Sequence, residues 1–253
     1  LKFKNIANTH IVKLGDQLLA LWEAAGPHAL DPKSLETIGL STLNGVLKEN
    51  EAFSAHPKLD LNSQASSELL VTFGVQTGPK STIRLMEFSN SGSNSGELLF
   101  DRKDSFDGFS FLHDFAITTN WAIFLQNAID FNPIPFLMGK KGAAQCLKSN
   151  PNKTAKFILI PRESGLFKGQ SPLIIDAPKG FVFHHVNAYE KDDNIILDSI
   201  FYDDFPSVGP DENFRKIDFE NYPDGKLKRS IINIKERSSH IRTISSQCCE
   251  FAT

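Results

Sequence analysis

Three histidines stand in contexts suited to metal chemistry: Ala55-His56-Pro57-Lys58-Leu59-Asp60, Leu112-His113-Asp114-Phe115-Ala116-Ile117-Thr118 and Phe183-His184-His185-Val186-Asn187-Ala188-Tyr189-Glu190. Neutral imidazole is the commonest protein ligand for a metal. Ligands this far apart along the chain imply an ion held by the whole fold. A local zinc knuckle needs clustered pairs such as C-x-x-C or H-x-x-x-H, and the sequence has neither. The pattern points to an enzyme with a histidine-only metal centre. A single buried histidine is more commonly a hydrogen-bonded core residue, and His10, His28, His185 and His240 are read that way.

The elements that must position these ligands read as strands. His10-Ile11-Val12-Lys13-Leu14, a Gly15-Asp16 turn and Gln17 to Glu23 predict a hairpin. Strands are predicted over Glu68 to Gly74, Ser81 to Phe88, Glu97 to Phe100, Phe115 to Thr118, Trp121 to Leu125, Lys156 to Ile160, Phe181 to His184 and Asn194 to Asp198. The Ser/Asn/Gly run from Ser89 to Gly96 predicts a surface loop, and only Phe136 to Lys148 reads as helical. Many short strands separated by turns, with almost no helix, predict an all-β chain. Their spacing suits propeller blades of four strands, although no clean repeat distinguishes a propeller from a sandwich. His56, His113 and His184 each adjoin an apolar run and a turn or polar residue, where a propeller strand begins or ends near the axis.

Composition narrows the function classes. The 253 residues are 40% hydrophobic, as expected of a globular core, and are read as one domain spanning residues 1–253. The net charge of −3 is mixed in sign along the chain, which excludes the concentrated basic surface that nucleic acid requires. Cys146, Cys248 and Cys249 form no disulfide framework, so a reducing, cytoplasmic location is expected. Among 21 Phe, five flank the histidines, namely Phe53, Phe111, Phe115, Phe181 and Phe183; they suit an apolar cavity for a flat, elongated ligand, or ordinary core packing. No apolar run is long enough for a transmembrane helix. The segment from Phe131 to Lys141 joins apolar residues to a Lys pair, as an interfacial membrane anchor does; a buried loop with solvated lysines is the other reading. The first residues lack Met and a signal-peptide core, and the chain is expected to be a piece of a longer protein.

Taken together, the three histidine strings, Ala7-Asn8-Thr9 and Leu19-Ala20-Leu21-Trp22-Glu23 resemble the carotenoid cleavage oxygenase family from Ala7 to Phe251. That family includes the retinoid isomerase of the retinal pigment epithelium and stilbene-cleaving enzymes. The resemblance implies a seven-bladed β-propeller, incomplete in this chain, with one Fe(II) on its axis. It implies His56, His113 and His184 as three of four histidine ligands, the fourth lying in a His-Gly string absent here. His184 is preferred to His185 because it stands three residues before Asn187 and because successive strand residues face opposite ways. Glu23 and Glu250 match glutamates that accept hydrogen bonds from ligand imidazoles, and Thr9 matches a residue whose methyl group borders a vacant coordination position.

The implied activity is that of a non-haem Fe(II) dioxygenase. A C=C bond of a carotenoid or apocarotenoid is split with O2 into two carbonyl products. The partners are therefore a lipophilic polyene and O2, with peripheral membrane contact. A stilbene-type phenolic cleavage enzyme and a noncatalytic propeller binding a lipophilic or protein partner are the alternatives. Lacking one ligand and the closing blades, the isolated segment is expected to be inactive.

Overall fold

A computed structural model describes residues 4–61, 68–206, 220 and 222–251. The strands are β1 (His10–Leu14), β2 (Gln17–Leu21), β3 (His28–Leu30), β4 (Thr37–Leu40), β5 (Lys58–Asp60), β6 (Leu69–Gln76), β7 (Lys80–Ser89), β8 (Leu98–Asp107), β9 (Ala116–Ile117) and β10 (Trp121–Gln126). They continue as β11 (Ile129–Phe131), β12 (Leu147–Ser149), β13 (Ala155–Pro161), β14 (Leu173–Ala177), β15 (Phe181–Lys191), β16 (Asn194–Tyr202), β17 (Lys226–Asn233) and β18 (Ser238–Cys248). One short helix, α1 (Pro133–Leu137), lies between β11 and β12.

Sixteen strands form four antiparallel four-stranded sheets in the orders β1-β2-β3-β4, β5-β6-β7-β8, β9-β10-β13-β14 and β15-β16-β17-β18. The β11-β12 hairpin, which carries α1, is inserted between the second and third strands of the third sheet. β9 of the third sheet lies against β15 of the fourth, and their outer strands β14 and β18 also meet. The third and fourth sheets thus stack with their first strands at one side, as propeller blades do. The all-β expectation is borne out.

The core lies between sheets. Along β6, Leu69, Val71 and Phe73 pack toward the third sheet while Leu70 packs toward the first. Along β10, Trp121, Ile123 and Leu125 face the fourth sheet while Ala122 and Phe124 face the second. β13 divides in the same way, with Phe157 and Leu159 on one side and Ile158 and Ile160 on the other. A strand buried on both faces has no need of polar alternation, which is why these segments are continuous apolar runs. Outer strands have one covered face and alternate, as β8 does from Leu98 to Asp107.

Charged side chains bridge neighbouring sheets. The fully buried Arg162 places Nε 2.9 Å from Glu87 Oε1 and Nη2 2.9 Å from Asp60 Oδ2, and donates from Nη1 to Thr118 O at 2.7 Å. This links the second sheet to the third. Glu190 on β15 accepts from the backbone N–H of Asn120 at 3.0 Å and from its side-chain amide at 2.5 Å, linking the fourth sheet to the β9–β10 turn.

The helix expected over Phe136 to Lys148 is not present at that length. Instead α1 spans Pro133–Leu137, a 3-10 turn spans Ala144–Cys146 and β12 follows. Asn132 caps the helix by accepting from Ile134 N, and Gly139, at φ 68°, ends it because the left-handed region suits glycine. The predicted strands are found, and the structure adds the short β3, β4, β5, β11, β12 and β14 and the longer β17 and β18, which are dense in Lys, Arg and Ser.

Candidate metal centre

Each expected ligand comes from a different sheet. His56 lies two residues before β5, His113 three residues before β9, and His184 is the fourth residue of β15. The loop carrying His56 is shaped by Ser54, whose backbone N–H donates to Phe73 O at 2.7 Å and whose hydroxyl accepts from His56 N at 3.0 Å. Gly74 on β6 makes room for that loop: a Cβ there would collide with the Ala52 carbonyl oxygen.

The three rings converge. His56 and His113 centroids lie 4.6 Å apart, and His184 lies 5.1 Å from each. One nitrogen from every ring falls within 4.8 Å of the others. The Nε2 atoms of His56 and His113 are 3.0 Å apart. Two imidazole nitrogens at about 2.1 Å from one cation and roughly at right angles are separated by about 3 Å, so this spacing fits a shared metal.

The outward nitrogens are held by the two expected carboxylates. His113 Nδ1 donates to Glu23 Oε1 at 3.3 Å, and His184 Nδ1 donates to Glu250 Oε2 at 2.7 Å. With a proton on Nδ1, the Nε2 lone pair is free to point inward, and the ring becomes more basic. Burial would raise the Glu23 carboxyl, but the hydrogen bond and charge of His113 outweigh it and hold it below the ordinary range. Glu250 behaves likewise under His184, the Phe251 N–H and Tyr202. Burial pushes the His56 imidazole down to about 4, which keeps it neutral and able to ligate. Three convergent imidazoles, two of them backed by carboxylates, form a donor set that fits a divalent metal ion.

His185 is not part of this set. It is buried on the other side of β15, with Nδ1 2.7 Å from Ser199 Oγ. His184, not His185, lies in the cluster with His56 and His113. Thr9 is exposed beside the head of β1 and reaches the site only through backbone, donating its N–H at 3.0 Å to Leu21 O, two residues before Glu23.

An aromatic wall leads away from the histidines. Phe111 stacks with His113 at 6.4 Å, Phe183 meets His113 edge-on at 5.6 Å, and Phe181 packs on Phe183 at 4.6 Å. Phe205 continues it beyond Phe181, and Phe109 stacks on Phe131 just before α1. Of the five Phe singled out by sequence, Phe111, Phe181 and Phe183 belong to this wall. Phe53 and Phe115 are instead fully buried between sheets and follow the core-packing reading. Sequence reasoning missed Tyr202, whose hydroxyl donates to the free oxygen of Glu250 at 2.8 Å; no local pattern marks it.

Comparison with known proteins agrees with this geometry. The family of the retinal pigment epithelial membrane protein matches residues 1–253. The apocarotenoid-15,15'-oxygenase of Synechocystis sp. is 44% identical over 253 residues, covering 99% of this chain and 50% of that protein. A carotenoid 9,10(9',10')-cleavage dioxygenase of Arabidopsis thaliana is 29% identical over 252 residues, 97% of this chain and 43% of that protein. The crystal structure of a cobalt-substituted Synechocystis ACO superposes with a TM-score of 0.92 at 43% identity, covering 99% of this chain and 51% of the other. The chain spans about half the length of the curated relatives it matches. With its three convergent histidines and these relatives, the chain belongs to the retinal pigment epithelial membrane protein family of carotenoid cleavage oxygenases.

Proposed function

We propose that this chain carries three of the iron ligands of a carotenoid or apocarotenoid cleavage dioxygenase, within a seven-bladed propeller to which it contributes four sheets. The observation that carries this reading is the meeting of His56, His113 and His184 from three sheets, two of them backed by glutamate. Bound Fe(II) supplies activation of O2 for insertion across a C=C bond. The protein residues do the rest. Glu23 and Glu250 fix ring tautomers and orientation. The wall of Phe111, Phe181 and Phe183 gives a flat, conjugated chain an apolar surface to lie against, holding one double bond beside the metal while excluding water.

The same wall runs toward α1, where Ile134, Leu137 and Met138 are 63%, 64% and 59% exposed, next to the exposed Lys140 and Lys141. Apolar side chains on a surface with a basic rim suit a membrane interface, from which an insoluble polyene is drawn. Exposure supports the anchor reading over the buried loop.

Iron content and O2-dependent bleaching of an apocarotenal by the full-length protein test the proposal. Both are lost together when His56, His113 or His184 is replaced by Ala. Cleavage that persists in all three variants, or a protein that retains zinc and ignores O2, overturns it.

A further inference from the structure

We infer that Asp114 is a positioning residue for the metal centre, its buried carboxylate tying together the three chain segments that carry His56, His113 and His184. The inference rests on the metal reading above and extends it to how the ligands are held in place.

Each ligand has a close sequence neighbour engaged in one shared cluster. Lys58 follows His56 by two residues, Asp114 follows His113, and His185 follows His184. Lys58 Nζ lies 2.8 Å from Asp114 Oδ1. The His185 backbone N–H donates to Asp114 Oδ2 at 2.8 Å, and His185 is itself held by Ser199 on β16. Both carboxylate oxygens are therefore used, one toward the second sheet and one toward the fourth, from a residue of the third.

The Asp114 side chain is only 2% exposed, against 27% for Lys58. Charge-assisted hydrogen bonds in such a setting are short and about twice as strong as neutral ones, and a buried carboxylate stripped of a partner is costly. The cluster therefore has one strongly preferred arrangement. A shift at Asp114 is passed through one or two peptide units to each ligand. Metal–imidazole distances tolerate errors of only about 0.2 Å, so alignment of the three segments decides whether the site is made.

The test uses full-length protein stripped of metal and titrated with Co(II), read by its visible absorption and by competition with a chelator. Asp114→Asn keeps size and the acceptor for His185 N–H but removes the charge. It is expected to lower Co(II) affinity by about 10 to 100-fold and to alter the absorption bands. Lys58→Met is expected to follow it, and Lys58→Arg to restore most of the affinity. Wild-type affinity and spectrum in Asp114→Asn overturn the inference. So does an equal loss in Arg162→Met, which breaks a buried joint away from the ligands. Should Asp114→Asn fail to fold, equal affinities for Lys58→Met and Lys58→Arg overturn it. Failure of the wild-type protein to bind Co(II) overturns the metal reading itself, a result distinct from those above.

Discussion

Glu250 grips His184 with one carboxylate oxygen at 2.7 Å while its other oxygen accepts the Tyr202 hydroxyl at 2.8 Å. The carboxylate is thereby fixed at both ends, and the ring it orients can present only Nε2 to the centre. Replacing Glu250 by Gln is expected to weaken metal retention by about 10 to 100-fold, and Tyr202→Phe by less. Metal content after dialysis against graded chelator gives both values. Equal retention in Glu250→Gln and the unaltered protein would show that the contact is incidental.

The Arg162 joint makes a prediction about stability. Its guanidinium is buried against Glu87 and Asp60, so Arg162→Met leaves two carboxylates without their cation. The expected loss is about 3 to 5 kcal/mol by urea unfolding, with partial recovery when Glu87→Gln is added. A loss under about 1 kcal/mol would mean that the pair contributes no more than a surface salt bridge.

His185 predicts an acid limb. Burial, opposed by the Asp114 charge, pushes its imidazole down to about 4, from the ordinary 6.5. Between these values the unfolded chain binds a proton that the native protein does not. The contribution is therefore fully present above about pH 6.5 and is lost as pH falls to about 4, amounting to a few kcal/mol. Urea midpoints of metal-free protein across that range should fall with pH, and His185→Gln should flatten the slope. An unchanged slope would assign the acid sensitivity to other groups.

Membrane contact is expected to depend on α1. Unaltered protein should float with liposomes, and Ile134→Ser with Leu137→Ser should leave it in solution, because both side chains are more than half exposed. Flotation that survives the double change would move the contact elsewhere.

Legibility in the sequence followed burial. β6, β7, β10 and β13 pack sheets on both faces and announce themselves as apolar runs. The charged end of β8 and the polar β17 and β18 have a lighter signature because water covers one side. The Phe136 to Lys148 stretch misled because a helical pattern is interrupted by Gly139, whose effect depends on its left-handed backbone angle more than on hydropathy. His56, His113 and His184 stand out by their local contexts, whereas Glu23 and Glu250 are legible only through resemblance, since each alone reads as a solvated surface residue. Lys58 and Asp114 stood inside the same strings, yet their pairing across sheets leaves no trace in local spacing.

The supply of His56, His113 and His184 from three different sheets makes the centre a keystone. An ion that binds only when the sheets are correctly angled adds its binding free energy to that alignment, so occupancy and architecture become one equilibrium. A few degrees of rotation in one sheet is felt at once by a centre whose three ligands enter from separate sheets.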